Sequence, residues 1–213
     1  SVGMLIAFVT SLLLHEDVGY EGIAIGMQIG SAIGAVVAQR VQMTAMPQMI
    51  ALLNGLGGGA SALVAAAELH YSKEIGRTIT ADISIPTVLG TVIGAVTLTG
   101  SLVAFAKLQE LMRGNAIVFS GQQALNAALG VAILFLSFVV VGSPTSLFSF
   151  WVLMLLSLAL GVMLVIPIGG ADMPVVISLL NSYSGIAAAG TGFVLRNNML
   201  VIAGALVGGS GII

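Results

Sequence analysis

Two asparagines lie inside long apolar stretches of the sequence, each following a Met-Pro pair. Asn54 ends the segment MPQMIALLN and Asn181 ends MPVVISLLN. Each therefore stands about 10 Å along the helix axis from its proline. An amide does not titrate, but it offers two donors and an acceptor to water or to a neighbouring helix. Inside an apolar helix this indicates either a hydrated polar route or an interhelical hydrogen bond, and both interpretations stay open.

Titratable side chains stand near the ends of the apolar stretches. Glu68 lies about 30 Å from Pro47 along the predicted helix that contains Asn54, so we expect a solvated carboxylate at the far membrane interface. His15 and His70 fall on that far side too, where interfacial positions are the favoured interpretation. They are the best titrating candidates there, because their ordinary pKa is near neutrality. Asp172 precedes a proline-initiated helix start, which predicts an N-cap; gathering protons or docking a partner is equally open.

Motifs of covalent catalysis and nucleotide binding are missing from the sequence. It has no Walker motif, no HExxH and no nucleophile elbow. The run from Gly55 to Ala60 formally resembles a dinucleotide fingerprint, but it lacks a preceding strand and indicates close helix packing instead. With no cysteine and a net charge of -2, the chain has neither a thiolate metal site nor a basic surface for nucleic acid.

Composition predicts an all-α, polytopic transmembrane helix bundle. Hydrophobic residues make up 58% of the chain and charged residues 7%, far below the quarter typical of soluble domains. The sequence opens on an apolar stretch without a signal peptide, so we expect an N-terminal truncation. Eight spans are predicted: Val2 to Leu14, Glu21 to Gln39, Pro47 to Tyr71, Ile85 to Phe105, Gln122 to Val141, Leu147 to Ile166, one that begins at the Asp172 N-cap and ends near Arg196, and one from Met199.

The two asparagine segments also suggest an internal repeat. Met46 to Asn54 and Met173 to Asn181 are identical at six of nine positions and stand 127 residues apart. The same offset aligns the first predicted span with the fifth and the second with the sixth. We therefore expect one transmembrane domain over residues 1–213 built from two parallel repeats, 1–105 and 122–213. Chance similarity between leucine-rich spans is the alternative.

Several segments carry a resemblance to a known family, namely RVQMTAMPQMIALLNGLGGGASALVAAAEL, GTVIGAVTLTGSLVAFAKLQELM, IGGADMPVVISLLNSYSG and GALVGGSG. They resemble the membrane domain of the proton-translocating nicotinamide nucleotide transhydrogenase, in its beta-subunit part, from about Arg40 onward. The resemblance implies hydride exchange between NAD(H) and NADP(H), coupled to proton movement across the membrane. The nucleotide domains of that family lie outside the bilayer. An NADP(H)-binding domain is expected after Ile213, so we expect this chain alone to bind neither nucleotide.

The resemblance also implies roles for individual positions. It marks Asp172 as the cytoplasmic-mouth carboxylate facing the NADP(H) domain, and Asn181 and Ser101 as polar residues of the proton route. Five glycines match positions associated with helix packing and coupling: Gly185, Gly192, Gly204, Gly208 and Gly211.

At Asn54 the chain departs from the family pattern. Many members have a histidine at this position of the third span, and that histidine is their favoured proton carrier. With an amide, protons must pass through amide-bound water or use another titrating group, for which His15 and Glu68 are candidates. We expect the proton route to lie between the third and seventh spans. A tilt of the seventh span would open this route to one side of the membrane and then to the other.

The assembly and its location follow from the resemblance as well. It implies alpha-subunit membrane helices, an NAD(H)-binding domain, the NADP(H)-binding domain of the same subunit, a dimer of the full enzyme, and a bacterial or mitochondrial inner membrane. Basic residues are almost balanced between the two sides, so the cytoplasmic placement of Arg40 and Asp172 rests on the resemblance. Two other functions remain open: a secondary transporter of a small solute or ion, or a membrane anchor without conduction.

Overall fold

The computed structural model describes Val9 and residues 20–144 and 146–211. These residues form helices, turns and loops, with no strand among them. The first predicted span lies outside the described residues apart from Val9, and so does His15. Seven α-helices are present in the described ranges: α1 (Tyr20–Arg40), α2 (Met46–Glu74), α3 (Ala81–Leu108), α4 (Gln122–Gly142), α5 (Leu147–Val165), α6 (Met173–Val194) and α7 (Asn198–Ser210).

These helices match the second to eighth predicted spans, with ends that differ by a few residues. Helices α1 to α6 are long and apolar enough to cross a membrane, whereas α7 has 13 residues. The predicted fold class, an all-α transmembrane bundle, is confirmed. The chain divides into two compact units, Ser1–Met46 and Pro47–Ile213. In the first unit, α1 has an acid in its first turn and a base in its last, which suits the helix dipole.

Helix α3 is the central element of the second unit. It packs against α5 and α6, and it meets α2 at a close backbone contact between Gly58 and Gly94. A Cβ at Gly58 would lie 2.8 Å from the Gly94 carbonyl oxygen, so only glycine permits this approach. Fifteen of the 28 residues of α3 are buried. Small residues on several faces let neighbouring helices approach closely, which is how helices associate without a hydrophobic driving force.

One end of this unit gathers the start of α2, the end of α3, the end of α5 and the start of α6. Gln48 Nε2 of α2 donates to the Leu108 carbonyl of α3 at 3.2 Å. The backbone N–H of Gly170, just before α6, donates to the Gly114 carbonyl at 2.7 Å. We call this the Asp172 end. An apolar core directly below it includes Val103, Ala104, Val165, Met173, Val176, Ile177 and Leu180.

Helices α2 and α6 begin in the same way. A 3₁₀ turn, Met43–Ala45, precedes α2, and another, Gly170–Asp172, precedes α6. The two turns stand 127 residues apart, and so do the two helix starts, which is the offset of the sequence match. The offset does not extend to α3 and α7, because the link before α7 is shorter than the link before α3. The two repeats within a single domain stay a prediction.

Candidate functional site

A polar cluster joins α2, α3 and α6 at the depth of Asn54. The Asn54 amide Nδ2 donates to Ser101 Oγ at 3.0 Å, and its Oδ1 accepts from Ser184 Oγ at 2.6 Å. Asn54 and Ser101 are both buried. One amide therefore connects three helices through side chains alone, which is the interhelical hydrogen bond that the sequence left open.

Local sequence explains why these side chains meet. Gly55 follows Asn54, and a Cβ there would lie 3.1 Å from Ser101 Cβ, so the glycine lets α3 approach the amide. Ser184 lies one turn after Asn181 and is also within hydrogen-bond distance of its carbonyl, at 2.8 Å. A hydroxyl has one proton to donate. Ser184 must therefore choose between the Asn54 side chain and the Asn181 backbone.

Asn181 reaches the same place through a cavity. A cavity of about 310 Å³ is lined by Ile50, Leu53, Asn54, Gly57, Asn181 and Ser184. The Asn181 side chain is exposed on this cavity, and no described side chain hydrogen bonds to it. A cavity of this size has room for several waters, and its two amides and one hydroxyl are among the two to four polar partners that a bound water needs. Water in the cavity can thus contact two amides, Asn54 and Asn181, and the Ser184 hydroxyl.

The chemistry available here is hydrogen-bond exchange rather than titration. Neither amides nor hydroxyls of these types change charge near neutral pH. Amides and hydroxyls can orient water, and water and hydroxyls can exchange protons along hydrogen bonds. No group of three or more His, Cys, Asp or Glu side chains that could hold a metal ion occurs in the part of the chain that the structure describes.

Buried hydroxyls continue from the cluster along α3. Ser101, Thr97, Thr91, Thr87 and Ser84 are each at most 1% exposed. Thr87 and Thr91 donate to carbonyls one turn back in their own helix. The hydroxyls of Ser84 and Thr97 have no hydrogen-bond partner among the described residues. Sequence reasoning singled out only Ser101, although the spacing of the serines and threonines, by three, four, six and four residues, places several of them near one face of a helix.

Comparison with known proteins decides the family. A family model described as NAD(P) transhydrogenase beta subunit matches residues 1–213. The chain belongs to this family. Two proteins named NAD(P) transhydrogenase subunit beta, from Rhodospirillum rubrum and from a named strain of it, are each 48% identical over 218 residues. The alignment covers 100% of this chain and 46% of each relative, so the chain spans about half the length of the curated relatives it matches. The resemblance stated from the sequence is confirmed.

Among the positions that the transhydrogenase resemblance marked, Asn54, Ser101 and Asn181 come together at the cluster and its cavity. Ser184 joins them, and sequence reasoning did not select it, because a helical serine usually bonds its own backbone. Glu68 does not join them. It lies about 21 Å from Asn54 along α2, where it accepts from Ser72 Oγ at 3.1 Å and pairs with Arg77 at 3.5 Å. His70 pairs with Glu74 at 3.7 Å on the same exposed helix end.

Asp172 lies at the start of α6, exposed, at the end where four helix termini gather. The prediction that its carboxylate caps α6 is wrong, because the side chain accepts no capping hydrogen bond. The physical reason is the preceding 3₁₀ turn. It gives Asp172 a backbone near the helical region (φ −91°, ψ 0°), and the N–H of Met173 bonds the Gly170 carbonyl instead. The carboxylate is therefore free to meet another group.

The family glycines form the contact between α6 and α7. A Cβ at Gly185 would lie 2.9 Å from the Gly204 carbonyl oxygen, and one at Gly192 would lie 2.6 Å from the Val201 nitrogen. Gly208 and Gly211 approach α6 closely as well, and Ser182 Oγ donates to the Gly208 carbonyl. These five positions therefore do pack helices; their part in coupling stays a prediction.

Proposed function

We propose that this chain forms the proton-conducting part of an NAD(P) transhydrogenase membrane domain. In this proposal, proton movement is coupled to hydride transfer between NAD(H) and NADP(H) in soluble domains outside the bilayer. The observation that carries the proposal is the buried Asn54–Ser101–Ser184 cluster, which opens on a cavity shared with Asn181. Buried polar groups are costly unless they are hydrogen-bonded, and polar residues inside membrane spans often mark proton or ion pathways. Here the hydrogen bonds of the cluster lie beside a cavity with room for water.

The proton route in this proposal passes through water held at the cluster. Asn54 orients water with its amide, and Ser184 changes acceptor between the Asn54 side chain and the Asn181 carbonyl. Because these acceptors belong to different helices, a tilt of α6 changes which hydrogen bond is the shorter. The cluster then faces a different set of waters, and access alternates between the two sides of the membrane.

Coupling in this proposal begins at Asp172. The NADP(H)-binding domain docks against the exposed carboxylate differently in its two redox states, and this difference drives the tilt of α6. A partner shifts a conformational equilibrium only as far as its affinities for the two states differ. The other proposed partners are alpha-subunit membrane helices, an NAD(H)-binding domain and a second copy of the full enzyme. The proposed location is a bacterial inner membrane, or the mitochondrial inner membrane in a eukaryote.

An Asn54→Leu substitution in the full two-subunit enzyme tests the proposal. Leucine keeps a similar volume but removes both cluster hydrogen bonds and the hold on water. In sealed vesicles carrying NADPH and NAD⁺, we expect proton movement to fall at least about tenfold. The matched control is Asn115→Leu, which changes an exposed asparagine outside the helices and should keep the native rate. Normal proton movement in a folded Asn54→Leu enzyme would sink the proposal.

A further inference from the structure

Lys107 is a buried cation without a carboxylate partner. It is 3% exposed and is the only charged side chain among the buried residues that the structure describes. Its Nζ donates to the backbone carbonyls of Ile166 and Ile168, each at 2.6 Å. No described carboxylate forms an ion pair with it. A buried charge held by backbone carbonyls alone is unusual, because burial of a charge is costly unless it is well paired.

The two carbonyls belong to the segment that joins α5 to α6. This segment, residues 166–172, we call the α5–α6 link; it contains Pro167 and ends at Asp172. Its first carbonyl lies at the end of α5, where the helix dipole favours a cation. The link leads directly into α6, and the two carbonyls that hold the Lys107 amine lie in the same short segment as Asp172.

Lys107 lies on the same helix as Ser101, about 9 Å further toward the Asp172 end. The neighbouring carbonyl of Leu108 accepts a hydrogen bond from Gln48 of α2. Gln48 precedes Asn54 by six residues, as Ser101 precedes Lys107. The end of α3 is thus hydrogen-bonded to the α5–α6 link through Lys107 and to α2 through the Leu108 carbonyl. Further back along α3, Ser101 is hydrogen-bonded to Asn54. One helix therefore connects the contacts at the Asp172 end with the Asn54–Ser101 pair, over less than about two helical turns.

We propose that Lys107 is a positioning residue that transmits movement of the α5–α6 link to α3 and thereby to the Asn54–Ser101 hydrogen bond. This inference rests on the proposed function. The side chain touches neither the cluster nor the cavity, so it acts only through the backbone it holds. A lysine suits the task because its ammonium is compact and offers several donors to converging carbonyls.

The experiment uses the full two-subunit enzyme in vesicles with three substitutions. Lys107→Met keeps the length of the chain and removes the donors, Lys107→Arg keeps the charge and donors, and Lys73→Met changes an exposed lysine at the end of α2. We expect proton movement to fall about tenfold in Lys107→Met, to recover to within about threefold in Lys107→Arg, and to stay native in Lys73→Met. Native proton movement in Lys107→Met, or an equal loss in Lys107→Arg, would overturn the inference.

A second measurement needs no variant and covers the case in which Lys107→Met does not fold. Hydrogen exchange of the unmodified enzyme is compared with NADP⁺ and with NADPH bound. We expect amides of the α5–α6 link and of the last turns of α3 to change protection together. A change in the link alone would overturn the inference.

Failure of this inference is distinguishable from failure of the proposed function. If Asn54→Leu abolishes proton movement and Lys107→Met does not, only the role of Lys107 is wrong. If Asn54→Leu leaves proton movement unchanged, the conducting role of the cluster itself is wrong.

Discussion

At the scale of single residues, the cluster depends on side chains that carry no charge. The Asn54 amide is hydrogen-bonded to a hydroxyl on each of two neighbouring helices. If either hydroxyl is removed, the amide atom that faced it loses its partner. A buried donor without a partner costs about 1–3 kcal/mol, more than the net gain from a typical hydrogen bond. The cluster should therefore matter for stability as well as for proton movement.

Ser101→Ala separates a cluster serine from an ordinary buried one. Without Ser101 Oγ the Asn54 Nδ2 loses its acceptor. We therefore expect the free energy of unfolding to fall by about 1–3 kcal/mol and the rate of proton movement to fall as well. The control is Ser157→Ala, because Ser157 is equally buried but donates to the Leu153 carbonyl of its own helix at 2.8 Å. Thermal unfolding and vesicle assays on both variants provide the check; equal effects would show that Ser101 has no special role.

Sequence reasoning found some of these residues and missed others for identifiable reasons. Asn54 and Asn181 stand out because amides are rare in apolar helices. Ser184 does not, since its importance depends on which side chain faces it from α2. Lys107 entered only as one basic residue among six, because no local pattern reveals that its amine turns inward onto the α5–α6 link.

At the scale of helices, apolar run length and proline positions predicted the spans well. Their contacts were less predictable. The 3₁₀ turn before α6 was missed, because the Gly-Gly-Ala-Asp sequence is compatible with a direct N-cap as well. Glycines near the end of the sequence matched a family pattern, but only the structure shows which of them meet backbone on the neighbouring helix.

Gly204→Ala tests the contact between α6 and α7. A Cβ at Gly204 would lie 2.6 Å from the Gly185 carbonyl oxygen and would also meet the backbone of Ala189. Because backbone cannot move aside cheaply, we expect a loss of about 1–3 kcal/mol in stability. Gly209→Ala is the control, since no described atom lies within 4 Å of its added Cβ. There, helix propensity predicts a gain of up to about 1 kcal/mol. Thermal unfolding in detergent measures both, and equal midpoints would contradict the packing argument.

At the scale of the whole molecule, the two ends of the Pro47–Ile213 unit differ in kind. The Asp172 end holds an exposed carboxylate above a buried lysine and an apolar core. The opposite end closes with the Glu68–Arg77 pair, about 21 Å from Asn54 along α2. In the proposed function, this asymmetry assigns the docking of the NADP(H)-binding domain to the Asp172 end. Composition predicted the membrane and the helical class, but only the assembled helices bring the cluster together.

The central claim is that protons pass the side chain at position 54, and a titrating group placed there tests it most directly. Histidine has an ordinary pKa of about 6.5, so Asn54→His should give proton movement a step between about pH 5 and 8. The native enzyme and the exposed control Asn115→His should lack that step. The measurement is the rate of proton movement in sealed vesicles as a function of pH. A new step in Asn54→His alone is the predicted result; a native rate and pH profile in that variant would contradict the account.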